Sequence, residues 1–158
     1  MNYPNRKTIR LQDFDYSSNG AYFVTICTKH HRCLFWAHEQ AILNSSGTMV
    51  FEWLIQLSRK FPGIHLDSYA VMPNHVHMLL FLEQSQTSLD EVVSWFKTMT
   101  TNAYIRSVKA GLYPPFDKQL WQRSFYEHVI RNEQDLQETR KYISENPLKW
   151  QLDQLYVE

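Results

Sequence analysis

Cysteine is scarce in this chain: Cys27 and Cys33 are the two in 158 residues. That excludes a disulfide framework, and a reducing cytosol would keep both as thiols. Long apolar runs are missing as well; none approaches the roughly 20 residues of a membrane-spanning helix. The opening Met1-Asn2-Tyr3-Pro4-Asn5-Arg6-Lys7 has no apolar stretch of the kind a signal peptide carries, so a cytoplasmic location is expected. Neither charge is in excess, with Lys+Arg and Asp+Glu both at 16. A net charge of zero argues against a protein that coats duplex DNA by bulk electrostatics, but leaves room for a nucleic-acid enzyme with a local basic channel. Internal repeats and low-complexity segments are absent too. What is present is an apolar fraction of 44%, enough for a real core and too high for a disordered chain. The length predicts one domain over 1–158, with a basic N-terminal extension at 1–20 and a tail at 148–158.

Hydrophobic periodicity orders the middle. Ala21–Thr28 is rich in aromatic and β-branched residues, apolar on both faces, and reads as a central strand. Lys29-His30-His31-Arg32 leaves it as a basic cluster. A zinc site with Cys27 and Cys33 is conceivable there, but Cys-x5-Cys is not a usual zinc spacing, and buried cysteines beside a solvated loop are expected. Ile42, Val50, Leu54 and Leu57 keep a helical period. Ser45-Ser46-Gly47 interrupts it, so the main helix is predicted over Thr48–Lys60. Ile64–Met72 is a strand, Pro73-Asn74 a tight turn or bulge, and the strand resumes at His75. Ser88 with Glu91 three residues on makes a capping box for a helix over Leu89–Ala110. Leu120–Ile130 reads as the last strand, and Asp135–Glu145 as the last helix, closed by Pro147. The order β-α-β-β-α-β-α predicts a ferredoxin-like α+β layout, an antiparallel sheet with its helices mainly on one face.

Two groups carry chemistry. His75 and His77 are two apart on one strand, so both imidazoles point the same way and can share a metal ion; the plainer alternative is two polar residues on a half-exposed strand. Tyr142 and Asn146 are four apart near a helix end and share a face. The Asn146 carbonyl oxygen is a donor for a hard cation, and a phenol of pKa about 10 becomes a useful nucleophile only when a cation or base activates it. By themselves, a helical tyrosine and an Asn-Pro helix end are also ordinary core and stop signals.

Three stretches then resemble one known family: Pro73-Asn74-His75-Val76-His77; Trp121-Gln122-Arg123-Ser124-Phe125-Tyr126-Glu127-His128-Val129-Ile130-Arg131; and Tyr142-Ile143-Ser144-Glu145-Asn146-Pro147-Leu148-Lys149-Trp150. Arg6–Leu11 and Gly20–Ile26 look like the opening of such chains. The family is that of the REP-associated tyrosine transposases, within the single-tyrosine superfamily named for its His-hydrophobic-His motif. The resemblance implies a metal-dependent endonuclease and strand transferase acting on single-stranded, hairpin-containing DNA through a 5′-phosphotyrosine. It implies that Tyr142 is the nucleophile, with Tyr126 the competing candidate. It implies that His75, His77 and Asn146 hold the metal, and mixed nitrogen and oxygen donors suit Mg²⁺ or Mn²⁺ better than Zn²⁺. Asn146 stands where some relatives carry Gln and has a shorter reach. Such proteins work as a monomer or a homodimer. Candidates for phosphate contact are Arg6, Lys7, Arg10, Lys29, Arg32, Lys97, Arg123, Arg131 and Lys149, and Trp121 and Tyr126 could stack on unpaired bases. The alternatives are a regulator derived from a transposase, which binds structured single strands without cutting, and an RNA-processing phosphoesterase without a covalent step.

Overall fold

A computed structural model describes residues 19–38 and 41–158. Arg6, Lys7 and Arg10 lie outside the described residues. Four strands form one antiparallel sheet: β1 (Gly20–Cys27), β2 (Ile64–Val71), β3 (His75–Leu82) and β4 (Tyr126–Val129), in the spatial order β2-β3-β1-β4. Three helices connect and cover them: α1 (Ser45–Lys60), α2 (Leu89–Lys109) and α3 (Glu133–Glu145). This is the ferredoxin-like arrangement, with β1 and β3 in the middle. Both central strands are buried along nearly their whole length, which is why both read as continuous apolar runs rather than alternating ones.

The two faces of the sheet are covered differently. Val76, Met78, Leu80 and Leu82 of β3 pack with Tyr22, Val24 and Ile26 of β1 against Val50, Leu54 and Leu57 of α1 and Val92, Val93 and Phe96 of α2. The opposite parity, Ala21, Phe23 and Leu79, packs against Ile143 of α3 and Trp150 beyond it. Most helical cover is thus on one face as expected, and α3 alone takes the other. His75 and His77 have the parity of Leu79, so strand alternation turns them toward α3.

Two elements depart from the sequence expectation by more than the one or two residues by which element ends ordinarily vary. Helix α1 begins at Ser45, not Thr48, because the Asn44 side chain caps it by accepting the Gly47 N–H at 2.9 Å. Gly47 does not break the helix. It lies so close to the Phe35 carbonyl that a Cβ has no room there. Ile42 precedes the helix and is exposed. Strand β4 spans four residues rather than the eleven of Leu120–Ile130. Ahead of it, only a single bridge between Thr28 and Trp121 joins the sheet. The reason is the Trp121 indole. It packs against Phe35 and Phe96, and its N–H donates to Thr100 Oγ1 at 2.9 Å, which draws the segment into the core. The carbonyls of Gln122 and Arg123, which a strand would pair, instead accept from Lys97 Nζ at 2.7 and 3.0 Å.

Between β2 and β3 the chain turns through Met72-Pro73-Asn74, closed by Met72 N–H to His75 O at 2.8 Å. Helix α3 starts at an Asn132 cap whose side chain accepts the Asp135 N–H at 2.8 Å. Arg140 ties the helix to β2 by two bonds to Asp67, at 3.0 and 2.8 Å. After Glu145 the chain continues as a 3-10 segment, Asn146–Leu152, kinked at Lys149. Among the described residues no helix is long and apolar enough to cross a membrane.

Candidate metal and nucleophile site

Each imidazole is oriented by a neighbour. The Asn74 amide nitrogen donates to the carbonyls of Leu155 (2.8 Å) and His31 (3.3 Å), so its Oδ1 must be the atom facing His75 Nδ1 at 2.7 Å. An amide oxygen only accepts, so Nδ1 of His75 carries the proton and Nε2 presents a lone pair. His77 Nδ1 lies 2.8 Å from Thr25 Oγ1, its cross-strand partner. The two Nε2 atoms then face each other at 3.1 Å. Oxygen and hydroxyl partners on the far nitrogen are what metal-bound histidines ordinarily have.

Both rings are fully buried, not half exposed. Burial pushes His75 down to about 3, and burial together with the adjacent His75 pushes His77 down as well. The pair is therefore neutral at physiological pH, the state in which imidazole is a ligand.

Helix α3 brings the second half of the site. Asn146 caps it, and its N–H donates to the Tyr142 carbonyl one turn back. The Asn146 amide nitrogen donates to Asp153 Oδ2 at 2.8 Å, which leaves Oδ1 toward His77 Nε2 at 2.9 Å. The half-buried Tyr142 ring packs edge-on against His77, with centroids 5.5 Å apart, and against Phe23 at 6.0 Å. The four residues singled out from two distant stretches of sequence thus meet within one chain.

One member of the cluster was not anticipated. Asp153 Oδ2 is 3.7 Å from His75 Nε2, and the donor atoms of His75, His77 and Asp153 all lie within 4.8 Å of one another. No local pattern marks Asp153. It is one acid in a polar tail, and only the kinked 3-10 segment folds it back onto the sheet.

The other candidates are dispersed. Tyr126 is on the same sheet face, with Thr25 between it and His77 in the cross-strand row, and packs on Phe23 at 6.3 Å. Burial and then the Asp135 charge raise its phenol, which disfavours the phenolate. Trp121 is a core residue at 4% exposure, with no ring face open to a base, so the stacking role expected of it is withdrawn. Lys97 is held by two carbonyls and lies over the Phe125 ring, and burial lowers it to about 8. Arg32 donates to the Pro115 carbonyl, and Lys149 pairs with Glu145 at 2.7 Å. Arg123 and Arg131 are exposed. Cys27 sits across from His75 on the same sheet face, its thiol pushed up to about 12 by burial and by Asp153. Cys33 is exposed rather than buried, because the loop it occupies is. The candidate metal group among the described residues includes neither cysteine.

Fold and site together describe a ferredoxin-like protein that sets a His-Val-His strand against a tyrosine-bearing helix. The chain belongs to the family described as "Transposase IS200 like", which matches residues 19–146. An uncharacterized protein of Haemophilus influenzae is 34% identical over 170 residues, covering 98% of this chain and 94% of its own. A REP-associated tyrosine transposase of Escherichia coli is 26% identical over 134 residues, covering 85% of this chain and 70% of its own. Among solved structures, a REP-associated tyrosine transposase bound to a REP hairpin superposes with a TM-score of 0.63 at 23% identity, over 91% of this chain and 74% of that one. A putative transposase from Deinococcus radiodurans gives 0.55 at 18%, over 87% and 96%. These two likenesses show a shared fold.

Proposed function

We propose that this transposase-family chain is a metal-dependent endonuclease and strand transferase for hairpin-containing single-stranded DNA. The observation that carries the reading is the contact of the Tyr142 ring with His77, one helical turn from Asn146. In this reading the Tyr142 phenolic oxygen attacks the scissile phosphorus. The new P–O bond forms as the bond to the 3′ oxygen breaks, leaving a free 3′-OH and a 5′-phosphotyrosine. The phosphotyrosyl ester keeps the energy of the broken phosphodiester bond, so a second 3′-OH can displace the tyrosine and join strands without ATP. His75, His77 and Asn146 would hold Mg²⁺ or Mn²⁺, which would polarise the phosphoryl oxygen and offset charge in the transition state. The donor set fits such an ion: two neutral imidazoles and an amide oxygen converge, with a buried carboxylate beside them.

Tyr142 and the histidines belong to one chain, which supports a tyrosine acting in cis and a monomer sufficient for cleavage. The neighbour of like fold is bound to a REP hairpin, which supports the same class of DNA here. A DNA substrate also suits a cytoplasmic location.

A labelled hairpin strand incubated with the chain and Mn²⁺ is expected to give a covalent adduct on denaturing gels. Tyr142→Phe lowers adduct formation by about 100-fold or more, whereas Tyr126→Phe keeps most of it. Equal adduct from Tyr142→Phe and the parent sinks the assignment.

A further inference from the structure

The Asp153 side chain is 1% exposed. Burying a carboxylate costs several kcal/mol unless opposite charge or enough donors face it, on the order given for buried ions. Among the described residues, the groups that hold this one are neutral: Asn146 Nδ2 at 2.8 Å on Oδ2, and the Leu155 N–H at 2.7 Å on Oδ1. Across from Oδ2 stands the Nε2 lone pair of His75. A cation between these two electron-rich groups would offset the cost of burying the carboxylate.

The spacing suits a small divalent ion. Donors on adjacent corners of an octahedral shell at about 2.1 Å from the ion are about 3 Å apart. The separations found are 3.1 Å between the Nε2 atoms, 2.9 Å from His77 Nε2 to Asn146 Oδ1, and 3.7 Å from His75 Nε2 to Asp153 Oδ2.

We propose that Asp153 is a ligand of the divalent cation, so that the C-terminal segment completes the site with a carboxylate beside two imidazoles and an amide oxygen. The inference rests on the metal reading above and extends it to a residue beyond the matched segment 19–146. A carboxylate strengthens the site's preference for hard cations such as Mn²⁺ and Mg²⁺. It is also a supported ligand. Asn74 accepts from His75 through Oδ1 while its Nδ2 grips the Leu155 carbonyl, so one side chain orients an imidazole and pins the turn that delivers the carboxylate.

The test is calorimetric titration of Mn²⁺ into the full chain without DNA. The parent is expected to bind one equivalent, and His77→Ala to abolish binding. Asp153→Asn, nearly the same shape, is expected to weaken binding roughly tenfold or more, with a melting temperature in chelator no lower than the parent's. Asp153→Glu recovers part of the affinity. If Asp153→Asn binds Mn²⁺ like the parent while His77→Ala does not, the carboxylate is no ligand and the histidine reading survives. Equal losses from the Asn and Glu variants, with equal drops in metal-free melting temperature, overturn it by marking a structural residue. More DNA adduct from Asp153→Asn at unchanged Mn²⁺ affinity also overturns it, because the carboxylate then merely occupies the phosphate's place. A parent that binds no Mn²⁺ at millimolar concentration removes both this inference and the metal reading beneath it.

Discussion

His75 is held at about 3 by burial, against 6.5 for an ordinary imidazole, and His77 is pushed the same way. Between those values the unfolded chain takes up protons that the folded chain refuses, so acid favours unfolding. Metal-free protein in chelator should keep its full stability above about pH 6.5 and lose it progressively toward pH 3. Denaturant midpoints across that range measure the effect, and His75→Phe should flatten it. A flat profile in the parent would mean the rings are not buried as neutral bases. The histidines themselves were legible because a strand has a period of two, and Tyr142 with Asn146 because a helix returns to the same face after four. Asp153 was not legible, since no short-range period connects it to anything. Trp121 was misread because aromatic character does not distinguish a base-stacking ring from one inserted between Phe35 and Phe96.

At the scale of elements, helix α1 gives the sharpest contrast between local propensity and packing. A glycine inside an exposed helix loses about 1 kcal/mol relative to alanine, so Gly47→Ala would ordinarily stabilise. Here the added methyl meets the Phe35 carbonyl, a backbone atom that cannot swing aside. The expected outcome is a loss of about 1–3 kcal/mol, the usual cost of overpacking. Thermal melts decide it by sign alone. The same contact explains why the helix start was misplaced, because glycine reads as a breaker unless a close neighbour is known. Most other elements were legible from capping and periodicity. Ser88 accepts the Glu91 N–H at 3.3 Å, the N-cap half of the expected capping box. The shortening of β4 was not legible, because Lys97, a residue of another helix, takes the carbonyls that would have extended it.

For the whole molecule, alternating parity divides the sheet into a face under α1 and α2 and a face under α3 that holds the candidate site. Helices α1 and α2 close over Val76 and Met78, while α3 covers the histidines. The element order gave the layout, but which face α3 takes depends on β4 reaching the sheet beside β1, a pairing that no local signal encodes. On the proposed function, a net charge of zero implies that only a few side chains contact phosphate. Each phosphate contact on a single strand contributes about 0.7 to the slope of log affinity against log salt. Replacing the exposed Arg123 and Arg131 together with Gln should lower that slope for a hairpin strand by about 1.4, measured by anisotropy. An unchanged slope would remove both residues from the proposed DNA surface.

The Asn74 side chain touches three parts of the chain: the ring of His75, the loop at His31 and the carbonyl of Leu155. It therefore acts as a clasp between the middle of the polypeptide and its far end. A change at this one position would misalign an imidazole and release the tail in the same stroke, so two failures that look unrelated in an assay would share one origin.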